Sequence, residues 1–176
     1  MAELAWCYHQ NLQNDIEPHL THEERSQQIT RTLKAIPVTQ IIENPRETRM
    51  NEFLSEENVR HTLALTKNGT ATGIDGCPYK LWKALEKRYN DDTNVGKTSL
   101  NLIKVLTIVY QDIQQHGLND TSNFALGWMC PLYKKKDLTE ICNYRLITLL
   151  NTDYKILTKA LALQLVSEIE NLVHMD

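Results

Sequence analysis

The chain has 176 residues, a length that suits one domain or slightly more and is enough to bury a core. Apolar residues make up 41% against 23% charged, which excludes a disordered composition. The net charge of −3 excludes a uniformly basic nucleic-acid binder.

The charge is unevenly spread. Residues 1–60 carry six basic and ten acidic side chains, whereas residues 131–160 carry six basic and three acidic. A local basic patch on an acidic body can bind phosphates. The four cysteines, Cys7, Cys77, Cys130 and Cys142, form no C-x-x-C pair, which argues against a zinc ribbon. The first residues lack the pattern of a secretory leader, and no apolar run approaches spanning length. The expectation is an intracellular, non-secreted protein with free thiols and no membrane association.

In chain order the elements read as mostly helical. Residues 22–36 have helical spacing through Ile29, Leu33 and Ile36, and Pro37 stops them. Ser55 is a good N-cap, followed by Glu56 and Glu57 in the first turn and by Val59, Leu63 and Leu65. Asn68-Gly69 is expected to end that helix. Pro78 suits the start of the next one, whose apolar face is Leu81, Trp82 and Leu85. A long helix is expected over residues 95–116, with Leu102, Val105, Leu106, Val109, Tyr110 and Ile113 as its stripe and Gly117 at its end. Residues 125–134 and 144–150 read as extended, with Gly127 and Pro131 against helix. Asn151 or Thr152 caps a last helix in which Leu157, Leu161, Leu165 and Ile169 recur at four.

Several motifs invite chemistry. Gly96-Lys97-Thr98 ends like a phosphate-binding loop, but the position five residues before Gly96 is Asp91 rather than glycine, and "EKRYNDD" is too polar to be the buried strand that feeds such a loop. A helix start is the simpler reading. Tyr89-Asn90-Asp91-Asp92 has the form of a polymerase metal box. Such carboxylates need a rigid turn between apolar strands, and these have charged flanks, so a solvated loop is expected. His19-x-x-His22 with His9 lacks a completing ligand. The segment "PLYKKKDLTEICNYRLITLLNTDYK" is different. It places Lys134, Lys135 and Lys136 at the tip of an extended pair and Arg145 at the start of the return strand. Lys134 and Arg145 on one side would hold a triphosphate or a nucleic-acid backbone. The bland alternative is a solvated tip with an ion pair to Asp137 or Glu140.

"PLYKKKD…NYRLITLLNTDYKILTKALALQL" closely resembles the start of the reverse-transcriptase domain of LINE-type (non-LTR) retrotransposons. "TGIDGCPYKLWK", residues 72–83, resembles the segment that precedes it there, in the same order and with a long helix between. The resemblance covers residues 38–176, most closely at 73–83 and 127–161. Residues 1–37 resemble the looser helical region between an endonuclease and the polymerase.

The resemblance implies an α+β fold, mostly α with a small β-hairpin: the fingers portion of a right-hand polymerase, with the palm truncated. It implies that Lys134 and Arg145 face the triphosphate of the incoming nucleotide. It places Gly73, Asp75 and Gly76, in a glycine-aspartate turn, and Lys135 and Lys136 near the template. Gly73 and Gly76 also suit a tight turn on physical grounds. The implied partners are an RNA template, a DNA primer, a dNTP, the remaining palm and thumb, and an upstream endonuclease, with nuclear location if functional. Mg2+ is implied for the complete enzyme and no cofactor for this chain, because the catalytic aspartate segments of the family lie past "HMD"; no polymerisation by the chain alone is expected.

Three positions depart from the family. Leu146 stands where proline follows the arginine, Lys136 where glycine is usual near the hairpin tip, and Thr72 where proline precedes the glycine-aspartate turn. The competing readings are a non-functional helical relic without a ligand and a helical protein-interaction module.

Overall fold

The computed structural model describes residues 2–14, 21–37, 49–119 and 121–172. These fall into two units, which are taken separately: Asn44–Met129 with Thr148–Glu170, and Met1–Glu43 with Cys130–Ile147 and Asn171–Asp176.

The first unit carries the core. Its helices are α3 (Glu56–Ala64), α4 (Tyr79–Asn94), α5 (Leu102–His116) and the main part of α6 (Thr152–Leu172). Ser55 caps α3 in a reciprocal box: its hydroxyl accepts from Asn58 N–H, and the Asn58 side chain accepts from Ser55 N–H. Such a cap contributes about 1 kcal/mol. Leu54, Val59, Leu63, Tyr79, Leu102, Ile103, Leu106, Tyr110, Ile156, Leu157 and Ala160 form one buried cluster, with Trp82, Leu85, Ile113 and Phe124 packed against it. Tyr110 is fully buried and donates its hydroxyl to the Asp153 carbonyl at 2.9 Å. Burial pushes its phenol far up from the usual value, so the hydroxyl remains a donor.

Three expectations are corrected here. Tyr89-Asn90-Asp91-Asp92 lies within α4 and not in a loop. The Arg88–Asp92 ion pair at 3.5 Å, at i,i+4 spacing, supports the last turns, and the Thr93 hydroxyl is satisfied by the Tyr89 carbonyl. The helix expected from residue 95 begins at Leu102 instead. Gly96, at φ 71°, lets the chain turn back so that Gly96 and Lys97 N–H groups bond the Thr93 and Asp92 carbonyls, which terminates α4. Asn101 then caps α5 through Lys104 N–H. The Gly96-Lys97-Thr98 segment is thus a helix stop. On α6 the expected row is buried at its first member alone: Leu157 is buried with Ile156 and Ala160, whereas Leu161, Leu165 and Ile169 are 38–39% exposed. The helix seats its Thr152–Ile156–Ala160 side.

The second unit holds α1 (Ala2–Asn14), α2 (His22–Lys34) and the outer part of a hairpin. α2 opens with a capping box between Thr21 and Glu24, whose N–H and hydroxyl donors hold the Glu24 carboxyl below its usual range. All described residues of α2 are exposed. His19 lies outside the described residues.

β1 (Gly127–Tyr133) and β2 (Tyr144–Leu150) pair as a two-stranded antiparallel sheet, close to the extended stretches expected. Among the described residues, no helix is long and apolar enough to cross a membrane.

Candidate nucleotide-contact site

The hairpin tip is held by its own side chains. Lys134 N–H donates to the Asn143 carbonyl at 2.9 Å, which sets Tyr133 opposite Tyr144 and Leu132 opposite Arg145. Their rings meet edge to face, with centroids 5.7 Å apart. Three successive loop carbonyls are then claimed in turn. Tyr133 Oη donates to Lys136 O at 2.6 Å, Asn143 Nδ2 to Asp137 O at 2.8 Å, and Tyr144 Oη to Leu138 O at 2.9 Å. Asp137 Oδ1 accepts from both N–H and Oγ1 of Thr139 at 2.8 Å, which holds its carboxyl below the usual range.

This clasp decides how the cations stand. Strand side chains alternate between faces, so the register puts Lys134 and Arg145 on one face of the ribbon and Tyr133 and Tyr144 on the other. The Asp137 carboxylate is engaged with Thr139 and not with a lysine. Among the described residues, the charged groups of Lys134, Lys135, Lys136 and Arg145 have no hydrogen-bond or ion-pair partner, and all four residues are exposed. Lys136 sits at φ 79°, a conformation strained for a side chain larger than glycine. It is the position where the LINE-type resemblance has glycine.

The glycine-aspartate turn belongs to the helical unit. Gly76 N–H closes it on the Gly73 carbonyl at 3.2 Å. Asp75 Oδ1 accepts from Cys77 N–H at 3.0 Å, and Asp75 N–H donates to Asn151 Oδ1 at 3.3 Å. A Cβ on Gly73 would run into the backbone and side chain of Asn151, so this glycine is required by close approach. Next to it, Thr152 Oγ1 donates to the Cys77 carbonyl at 2.7 Å and accepts from Trp82 Nε1 at 2.6 Å. Asn151 and Thr152 were legible as helix-start residues, but their side chains serve the turn.

Lysines complete the attachment. Lys155 Nζ reaches the Ala71 carbonyl and Lys159 Nζ the Leu65 carbonyl, both at 2.9 Å. Lys83 Nζ reaches Thr66 O at 2.6 Å. Two of these ammonium groups therefore sit at the C-terminal end of α3, where carbonyls and the helix dipole favour a cation. The basic patch read from residues 131–160 accordingly shrinks, because Lys155 and Lys159 are committed to backbone.

Asp153, at the start of α6, has its carboxyl raised by burial and by the nearby Asp75. Burial and the same two carboxylates raise the Cys77 thiol, which disfavours a reactive thiolate. Among the described residues, no group of three His, Cys, Asp or Glu side chains could hold a metal ion. The four cysteines are unpaired. Asn143, Tyr133 and Tyr144 were not singled out in the sequence. The signal was present: an aromatic residue borders the basic positions on each strand.

No protein-family model matches the chain. Over 136 residues, 77% of the chain, it is 26% identical to a protein of transposon TX1 from Xenopus laevis, described as an uncharacterized 149 kDa protein. The match spans 9% of that protein's length. The chain is thus similar to part of a transposon-encoded protein.

Proposed function

We propose that this chain forms the fingers part of an RNA-directed DNA polymerase of a non-LTR retrotransposon, with residues 1–37 preceding it as a linker and residues 38–176 as polymerase. Lys134 and Arg145 contact the triphosphate of an incoming dNTP. Template contacts are assigned to Gly73, Asp75 and Gly76 in the helical unit and, separately, to Lys135 and Lys136 in the hairpin. The observation that carries this reading is the pair of unpartnered cations on one hairpin face, in a segment whose sequence resembles that enzyme family. Similarity to the transposon TX1 protein supports a transposon origin.

The chemistry assigned to the chain is electrostatic. A guanidinium and an ammonium on one face of the ribbon would stabilise charge on a transferring phosphoryl group and fix its position. Arginine offers a planar fork to two phosphate oxygens, and lysine a point charge. In the proposed complete enzyme, the resemblance assigns Mg2+ to aspartates of the palm and not to the fingers.

Binding of an RNA–DNA template-primer with dNTP, titrated against salt, tests the assignment. Arg145→Ala should weaken binding and lower its salt dependence. Unchanged binding would remove Arg145 from the site.

A specific observation favours a second reading, a protein-interaction module. Val105, Ile108 and Val109 form an exposed apolar row on α5, at 46%, 57% and 42% exposure. Such a row fits a partner protein. A tight complex insensitive to salt and to loss of the three hairpin lysines would support that reading against the first.

A further inference from the structure

The hairpin has a second face that the cation pair does not use. Tyr133 lies there, 45% exposed, beside three lysines that follow it directly in the chain. Its ring is not free to swing: one end is fixed by the strand, the hydroxyl is tied to the Lys136 carbonyl at 2.6 Å, and the edge-to-face contact with Tyr144 braces it. Tyr144 is braced likewise through Leu138 O. A solvent-exposed aromatic would ordinarily lose rotamer freedom on binding; this one has already lost it.

A held aromatic ring beside unpartnered cations matches what single-stranded nucleic acids recognise. A base stacks on the ring while lysines neutralise the flanking phosphates, and the interaction tolerates any base because every base has a π-face. The lysine ammonium groups here are not drawn off by carboxylates, since Asp137 is engaged by Thr139. We infer that Tyr133 is a stacking platform for one base of a single-stranded nucleic acid, with Lys135 and Lys136 on the adjoining phosphates and with Lys134 and Arg145 working separately on the opposite face. This rests on the nucleotide-contact reading above and adds a base-binding position to it.

The test compares a short oligodeoxythymidylate strand with an abasic phosphodeoxyribose strand of the same length, using the full chain. Both carry the same charge, and only one carries bases. The base-bearing strand should bind about tenfold more tightly. Tyr133→Leu should remove that difference while leaving abasic binding and the salt dependence of both strands unchanged. Tyr133→Phe, which deletes the hydroxyl tie but keeps the ring, should retain most of the difference. Equal binding of the two strands by the unmodified protein would overturn the stacking site and leave the cation pair standing. Failure of both strands to bind would overturn the nucleotide-contact reading, and the stacking site with it.

Discussion

Lys155 and Lys159 on α6 end on backbone carbonyls at 2.9 Å, whereas the charged groups of Lys134, Lys135, Lys136 and Arg145 on the hairpin have no partner among the described residues. Both groups belong to the same basic stretch of sequence. In the helical unit, positive charge fastens a loop to a helix and satisfies the end of α3. In the hairpin, neutral side chains hold the loop together: two tyrosines and an asparagine take the three carbonyls of Lys136, Asp137 and Leu138. The division explains how a protein of net charge −3 can still present cations that its own carboxylates and carbonyls do not engage. A count of basic residues does not locate such a site, because what matters is whether each ammonium group is already engaged.

The turn that the helical unit fastens down is the point most sensitive to substitution. Gly73→Ala places a methyl group against Asn151, with the backbone as part of the obstacle. It should destabilise the chain by about 2–3 kcal/mol, read as a lower midpoint in urea unfolding. A midpoint matching the unmodified protein would mean that the turn and α6 are not in contact in solution. Thr152→Val comes next. It keeps the shape but strips the partner from Trp82 Nε1 and from the Cys77 carbonyl, at a cost of about 2 kcal/mol, measured in the same way with tryptophan fluorescence as the probe.

The lysines of the two regions should respond differently. Lys159→Met should cost about 1 kcal/mol in unfolding free energy, since a charge-assisted bond to the end of α3 is lost. Lys135→Met should leave stability unchanged within error, because its ammonium group has no hydrogen-bond or ion-pair partner among the described residues. One substitution at the hairpin tip has the opposite sign. Lys136→Gly relieves a positive φ of 79° and should stabilise the hairpin by up to about 1 kcal/mol, detected as slower amide exchange at Asn143 and Tyr144.

Much of this was legible in the sequence. Ser55 with its following acids marked the start of α3. Gly117 marked the end of α5, and Asn151-Thr152 the start of α6. These are local signals, each set by the backbone groups that helix ends leave unsatisfied. The two strands were legible from their apolar content and from Gly127 and Pro131. What was not legible depends on contacts distant in the chain. Tyr89-Asn90-Asp91-Asp92 reads as loop by polarity, yet ion pairing and helix continuation hold it in α4. Leu161, Leu165 and Ile169 keep perfect spacing, but which side of a helix is buried is set by its neighbours, and here Ile156 and Ala160 win. The destination of Lys155, a carbonyl eighty-four positions away, leaves no local trace. At the hairpin, residue types and order suggested convergence of Lys134 and Arg145. The clasp that frees them is built from three neutral side chains whose partners lie across the loop.

The most direct test of the central contrast is the salt dependence of template-primer binding in three proteins: unmodified, Lys135→Met with Lys136→Met, and Lys155→Met with Lys159→Met. Each phosphate-contacting cation lost should lower the slope of log K against log salt by about 0.7–0.9. The hairpin double variant should therefore show a clearly shallower slope, and the α6 double variant the unmodified slope despite its lower stability. Equal slopes in all three proteins, or a shallower slope only in the α6 variant, would contradict the account.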